Sequence, residues 1–348
     1  AAKKAIDDGH HGYVLANGIL ECRQAVSRKI KKLYNKEISP ERIMIMPGGK
    51  PTMYYAISMI GEPGSEIIHP TPGFPIYESM INYSGAKAVP YDLTEDKDLK
   101  FDPEKILSLI TDKTRLLVLI NPNNPTGSFV EKPAIDFLAE GLKKHPHVAI
   151  LSDEIYSRQI YDGKTMPTFF NYPDLEERLI VLDGWSKAYA MTGWRMGWSV
   201  WPEKLIPHVT KLAINSFSCV NAPSQFAGVA ALDGPDDPIH AMMNNVIIKG
   251  NSYCISHIHK EWVCCDKEIC KNKLFEALGK IEIRENSHLV LFANDKYNRK
   301  DYNFFIVKKN RMTVKASIIH RYIKFNEQNP KIYIQFVEGG YFFVKKIS

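Results

Sequence analysis

Hydrophobic and polar positions along the chain follow two periods. Between residues 19 and 34, Cys22, Val26, Ile30 and Leu33 fall on one helical face. Arg28, Lys29, Lys31 and Lys32 fall elsewhere, which predicts an amphipathic helix with a solvated basic face. A second helical stretch opens at Pro47-Gly48-Gly49-Lys50-Pro51-Thr52 and runs through Ile60. Short apolar runs then recur at Arg115–Ile120, Val148–Leu151, Leu179–Leu182 and Met196–Val200. Between the first two, Ile135, Leu138 and Leu142 keep helical spacing and lead into Lys143-Lys144, a favourable charge at a helix C-terminus. Buried strands alternating with amphipathic helices predict an α/β layer around a mainly parallel sheet. In such sheets ligands sit beyond the carboxyl ends of the strands, and the polar motifs follow those apolar runs. The chain shows no internal repeat and no low-complexity linker.

Composition narrows the class without changing that picture. At 348 residues, 45% hydrophobic and 24% charged, the chain is not disordered, collagen-like or a coiled coil. Apolar runs such as Leu116–Ile120 are too short to span a bilayer, so no membrane partner is expected. The opening Ala1-Ala2-Lys3-Lys4-Ala5 does not read as a signal peptide. Six cysteines make no disulfide scaffold, and the expected setting is reducing and cytoplasmic. The net charge of +6 is unevenly placed. Residues 244–348 hold 19 Lys and Arg against 10 Asp and Glu, whereas residues 1–243 hold 26 against 29. Of 21 prolines only Pro330 lies beyond residue 243. These shifts mark one boundary, ahead of an atypical basic segment 244–348; the rest is expected to divide into an N-terminal segment 1–39 and a main body 40–243. The basic and aromatic run from Lys296 to Lys346 carries no recognition motif, so no nucleic-acid partner is expected. Cys254, His257, His259, Cys264, Cys265 and Cys270 match no zinc-site spacing, and no metal is expected.

Four motifs carry candidate chemistry. Gly48-Gly49-Lys50 before a helix can bring backbone N–H groups to an anion, although its spacing is not that of a nucleotide P-loop and a plain turn reads equally well. Asn121-Pro-Asn-Asn124-Pro125-Thr126-Gly127 follows a strand and by itself reads as a turn. In Ser152-Asp153-Glu154-Ile155-Tyr156 the acid at a strand end can cap a helix or face a ligand. In Gly184-Trp-Ser186-Lys187-Ala-Tyr189, a lysine among apolar neighbours directly after a strand suits nucleophilic attack on a carbonyl and Schiff-base formation. Arg195, eight positions on, can offer a bidentate fork to a phosphate.

Asn-Asn-Pro-Thr-Gly, Ser-Asp-Glu-Ile-Tyr and Ser-Lys-Ala-Tyr-Ala-Met-Thr-Gly-Trp-Arg, in this order and at these separations, resemble fold-type-I pyridoxal-phosphate aminotransferases of class I/II, the aspartate aminotransferase superfamily. The resemblance covers about residues 10 to 243. It implies a large domain built on a seven-stranded sheet flanked by helices, beside an incomplete or atypical small domain. It implies pyridoxal 5'-phosphate as cofactor, an amino acid and a 2-oxo acid as substrates, and a homodimer. Lys187 then binds the cofactor aldehyde and moves the substrate α-proton, and Asp153 keeps the pyridine nitrogen protonated. Asn124 and Tyr156 bond the ring's phenolic oxygen, and Phe74 stacks on the pyridine. Arg195 and the backbone of Gly48, Gly49 and Lys50 form the phosphate cup, near Ser186. Tyr13 reaches across the dimer interface to the partner's phosphate.

The resemblance also marks departures. Gly184 stands three residues before the lysine, where the family often has a hydroxyl for the phosphate; Ser186 lies nearer the lysine. The family's N-terminal arm is expected to be missing before Ala1, and residues 244–348 do not read as the family's small domain. Arg284, Arg299, Arg311 and Arg321 lack the flanking residues of its substrate-carboxylate arginine, and none is assigned. Rival readings are a lyase or other enzyme on the same scaffold, and a cofactor-binding protein of weak or no activity.

Overall fold

The computed structural model describes residues 1–248 and, beyond them, strands within 252–346. The chain divides into two compact units, Ala1–Asp236 and Asp237–Ser348.

The first unit carries a seven-stranded sheet in the order β1-β7-β6-β5-β4-β2-β3. Its strands are β1 (Ile43–Met46), β2 (Glu66–Thr71), β3 (Lys87–Asp92), β4 (Thr114–Ile120), β5 (Ala149–Asp153), β6 (Leu179–Gly184) and β7 (Gly197–Val200). All neighbours run parallel except β7, which lies antiparallel between β1 and β6. Side chains alternate across a strand, so β4 sends Leu116, Val118 and Ile120 to one face and Leu117 and Leu119 to the other. Both faces are covered, which is why β4 is apolar from Leu116 to Ile120. One face packs beneath α2 (Leu20–Tyr34) and α6 (Lys132–Leu142); the other packs beneath α3 (Lys50–Ile60), α4 (Pro75–Ser84) and α7 (Ile206–Ser216). The unit also contains α1 (Ala2–Asp7), α5 (Pro103–Ser108) and α8 (Ala222–Asp233). Proline stands in the first turn of α3, α4, α6, α7 and α8, where its missing N–H costs nothing.

Helix α2 departs from expectation at Lys29 and Leu33. Lys29 is buried, its side chain 4% exposed, with Nζ 2.7 Å from Asp236 Oδ1. Arg23 is buried as well, with Nη1 donating to the Pro40 carbonyl and to Glu41. Leu33, expected in the core, is only half-buried. These basic groups are drawn inward by acceptors that local periodicity does not reveal.

The second unit contains α9 (Asp237–Val246) and two antiparallel sheets. One joins β8 (Ile247–Ile248), β9 (Ser252–Ser256) and β10 (Trp262–Cys265). The other orders β12 (Tyr302–Lys308), β11 (Ser287–Ala293), β14 (Tyr341–Lys346) and β13 (Ile332–Val337). Arg284, Arg299, Arg311, Arg321, His257, His259 and Cys270 lie outside the described residues, as do the side chains of Cys254, Cys264 and Cys265.

Candidate active site

The polar motifs gather at the carboxyl ends of the parallel strands. β5 ends at Asp153, which is 2% exposed. The hydroxyl of Tyr77, on α4, donates to its Oδ2 at 2.6 Å, and the Ile155 N–H donates to Oδ1 at 3.2 Å. Burial and the Asp153 charge together push the Tyr77 phenol well above its ordinary range, so it stays a donor. β4 leads into Asn121–Gly127, where the Asn121 side chain closes the loop by bonding both backbone groups of Val130. Asn124 is thereby carried toward the turn after β5, and its Nδ2 donates to the Tyr156 hydroxyl at 3.2 Å. Asn124 Oδ1 is buried without a hydrogen-bond partner.

β6 ends at Gly184 and releases the loop of Lys187. Trp185, fully buried, anchors that loop by donating from Nε1 to the Gly228 carbonyl at 3.0 Å. Ser186 is buried beside it. Lys187 is half-buried, with Nζ 5.5 Å from the centroid of the Tyr156 ring. The chain then reverses into β7, so Arg195, just before that strand, returns to the same rim. Its Nη1 donates to the Thr192 carbonyl at 2.8 Å and its Nη2 to that of Pro47 at 3.4 Å.

This guanidinium rests on Gly48, whose φ of +86° favours glycine and whose missing Cβ, which would lie 2.3 Å from Nη2, lets the guanidinium approach. The Gly48 N–H is already bonded to the Met46 carbonyl at 2.8 Å, so this residue shapes the cup rather than donating to it. The donors left for an anion are the N–H groups at the start of α3 and the exposed side of Arg195. Gly184, the departure noted in the sequence, has a steric cause: a Cβ there would lie 2.8 Å from the Cα of Gly197. Lys50 Nζ stands 5.8 Å from the centroid of Phe74, the residue that precedes α4. Tyr13 is not brought into this group within its own chain, being 90% exposed.

The site therefore joins a buried carboxylate, a hydroxyl–amide pair, a lysine and an anion cup. The family model for aminotransferase class I and II matches residues 1–270. The chain belongs to that family.

The match reaches beyond the span 10 to 243 that the motifs cover, at both ends. Aspartate aminotransferase of Bacillus subtilis is 32% identical over 243 residues, 70% of this chain and 62% of that protein. A bifunctional aspartate and glutamate/aspartate-prephenate aminotransferase of Petunia hybrida is 34% identical over 232 residues, 67% of this chain and 48% of that protein. The crystal structure of the aspartate aminotransferase from Rhizobium meliloti superposes with a TM-score of 0.68 at 31% identity, covering 70% of this chain and 62% of that one. The chain thus spans from about half to under two thirds of the length of these aminotransferases. Among the described residues no helix is long and apolar enough to cross a membrane.

The residues fit the family's cofactor. Asn124 leaves half of its buried amide unsatisfied, and its Nδ2, which gives one hydrogen to Tyr156, has a second to offer a ring oxygen. Asp153 is an acceptor suited to a cationic ring N–H, and the Gly48 turn brings the Arg195 guanidinium to the start of α3, a donor set suited to a phosphate. Sequence reasoning missed Tyr77, although its place one helical turn after Phe74 was a usable signal. It also missed Ser157, Asp183 and Glu154, whose contacts join segments 14 to 26 residues apart in sequence.

Proposed function

We propose that the chain binds pyridoxal 5'-phosphate at Lys187 and transfers an amino group between an amino acid and a 2-oxo acid. The convergence of Lys187, Tyr156 and Asn124 over the buried Asp153 carries this reading. When bound, pyridoxal phosphate supplies an electron-withdrawing ring that accepts the electrons freed at the substrate's α-carbon. Asp153 would hold the proton on the ring nitrogen, with Tyr77 fixing the carboxylate's orientation. Asn124 and Tyr156 would hold the ring oxygen, and Phe74 would lie against the ring. The first turn of α3 and Arg195 would bind the phosphate, with Ser186 at its edge. Lys187 would take the proton from the α-carbon and return it on the other side of the exchange.

The substrates are acidic, on two supports. The similar proteins are named for aspartate and glutamate, and Lys50 places an exposed ammonium beside Phe74 at the open side of the site. The active form is a homodimer in a reducing, cytoplasmic setting, and the exposed Tyr13 serves the partner's phosphate. The test is titration with pyridoxal phosphate, followed by borohydride reduction and peptide mapping. The adduct should map to Lys187, and Lys187→Ala should retain cofactor through the phosphate contacts yet lose exchange. An adduct at Lys50 refutes the assignment. Turnover that requires a 2-oxo acid separates transamination from a lyase reaction.

A further inference from the structure

Behind the site, on the side of the sheet away from Tyr77, lies a second set of buried acids. Glu154 is 1% exposed, and its Oε1 accepts from Ser152 Oγ, Thr168 Oγ1 and the Phe169 N–H. Asp183 is 7% exposed and makes two contacts with different active-site segments. The Gly184 N–H donates to Oδ1 at 2.6 Å, at the point where the chain leaves β6 for Lys187. Ser157 Oγ lies 2.8 Å from Oδ2, one residue after Tyr156. Asp183 is thus a bridge between the turn that carries Tyr156 and the strand end that launches Lys187.

Its surroundings decide its protonation. Among the described residues neither Asp183 nor Glu154 forms an ion pair. The groups facing Asp183 are Glu154, Asp153, Tyr34 and Tyr189, all neutral or negative. The cations near these tyrosines are Arg158 and Lys29, the latter 5.9 Å from the centroid of the Tyr189 ring, and both are held by Asp236, at 3.4 and 2.7 Å. A buried carboxylate with acidic neighbours and no counter-ion takes up a proton. Burial first, and then the neighbouring carboxylates, raise Asp183 to about 8.

We infer that Asp183 is a positioning residue of the cofactor site, a neutral acid that ties Tyr156 to Lys187 without placing a second negative charge behind Asp153. The inference rests on the cofactor reading of Lys187. A neutral carboxyl can accept the Gly184 N–H on one oxygen and donate to Ser157 from the other, and asparagine has the same pattern of one acceptor and one donor. Alanine has neither.

The experiment compares Asp183→Asn, Asp183→Ala and Ser157→Ala in the full chain, each also in a Tyr156→Phe background. One readout is the dissociation constant of pyridoxal phosphate together with the pH midpoint of its visible absorbance, which follows the Tyr156 contact. Asp183→Asn should keep the wild-type values. Asp183→Ala should weaken binding about fivefold and move the midpoint, as expected for one lost buried contact. In the Tyr156→Phe background the alanine change should add little, because both act through one interaction. A second readout is amide exchange at residues 155–158 and 184–187 without cofactor. It should speed up in Asp183→Ala and Ser157→Ala but not in Asp183→Asn. The proposal is overturned if asparagine behaves as alanine does, if the alanine loss is fully additive with Tyr156→Phe, or if exchange is the same in all variants. The exchange readout stands even for a chain that fails to take up pyridoxal phosphate, a result that would instead refute the reading of Lys187.

Discussion

Two of the carboxylates at the strand ends differ in company. Asp153 meets a phenol and a backbone N–H, whereas Glu154, its neighbour in sequence, points to the opposite side among hydroxyls. Asp153→Ala should therefore abolish most turnover and leave much of the cofactor affinity, because the phosphate contacts remain. Arg195→Ala should do the reverse, weakening binding by about 1.5–3 kcal/mol, the range for a charged hydrogen bond. Equilibrium dialysis beside steady-state rates distinguishes the two. Tyr77→Phe leaves Asp153 without its hydroxyl donor and should lower stability by about 1–3 kcal/mol in a urea titration. Glu154 makes a pH prediction. Burial raises it from its usual 4.5 to about 7, against the lowering effect of its three donors. A raised value in the folded state means that stability is fullest below the unfolded value and is lost as pH climbs toward 7. Glu154→Gln should remove that loss, gaining up to about 3 kcal/mol over wild type between those limits, measured by denaturation across pH. Asp153, Tyr156 and Lys187 were legible as motif residues. Asp183 and Ser157 were not, because their contact joins positions 26 apart that only strand pairing brings together.

At the scale of elements, the joint between β6, β7 and the turn after β1 is made of backbone packed on backbone. A Cβ on Gly197 would lie 2.5 Å from the carbonyl carbon and oxygen of Gly48, and one on Gly184 would press on Gly197. Gly197→Ala should push the Gly48 turn away, costing about 1–3 kcal/mol in thermal unfolding and weakening cofactor binding alongside. Apolar runs of strong β character, such as β4 and β6, were plain in the sequence. Ile43–Met46 is only four residues long, and β3 mixes Lys87, Pro90 and Asp92 into an edge strand, so neither has a distinctive pattern. The helical period of α2 is legible in the sequence, but the burial of its Lys29 is not. Its acceptor, Asp236, stands 207 positions away.

For the molecule as a whole, every residue of the candidate site precedes position 196 and falls in the unit Ala1–Asp236, which has its own core on both faces of the sheet. A chain ending after residue 248 should keep the dissociation constant for pyridoxal phosphate of the full chain, measured by absorbance titration. A large loss on truncation would place part of the cofactor site in the second unit. The change in charge and proline content at residue 244 was readable from composition alone, whereas the division of the chain into units falls at Asp236. Composition responds to what a segment is made of, and compactness to which residues touch. The antiparallel course of β7 has a consequence of its own. Because the chain doubles back between Lys187 and Arg195, the segment joining them would, on the roles proposed for these two residues, act as a ruler between the reacting group and the anchor for the phosphate. A single residue inserted there would add up to about 3.5 Å of slack while leaving every strand in place. Two lengths must then agree, one set by the chain and the other by the cofactor, so this short loop can tolerate substitution far better than a change in its count of residues.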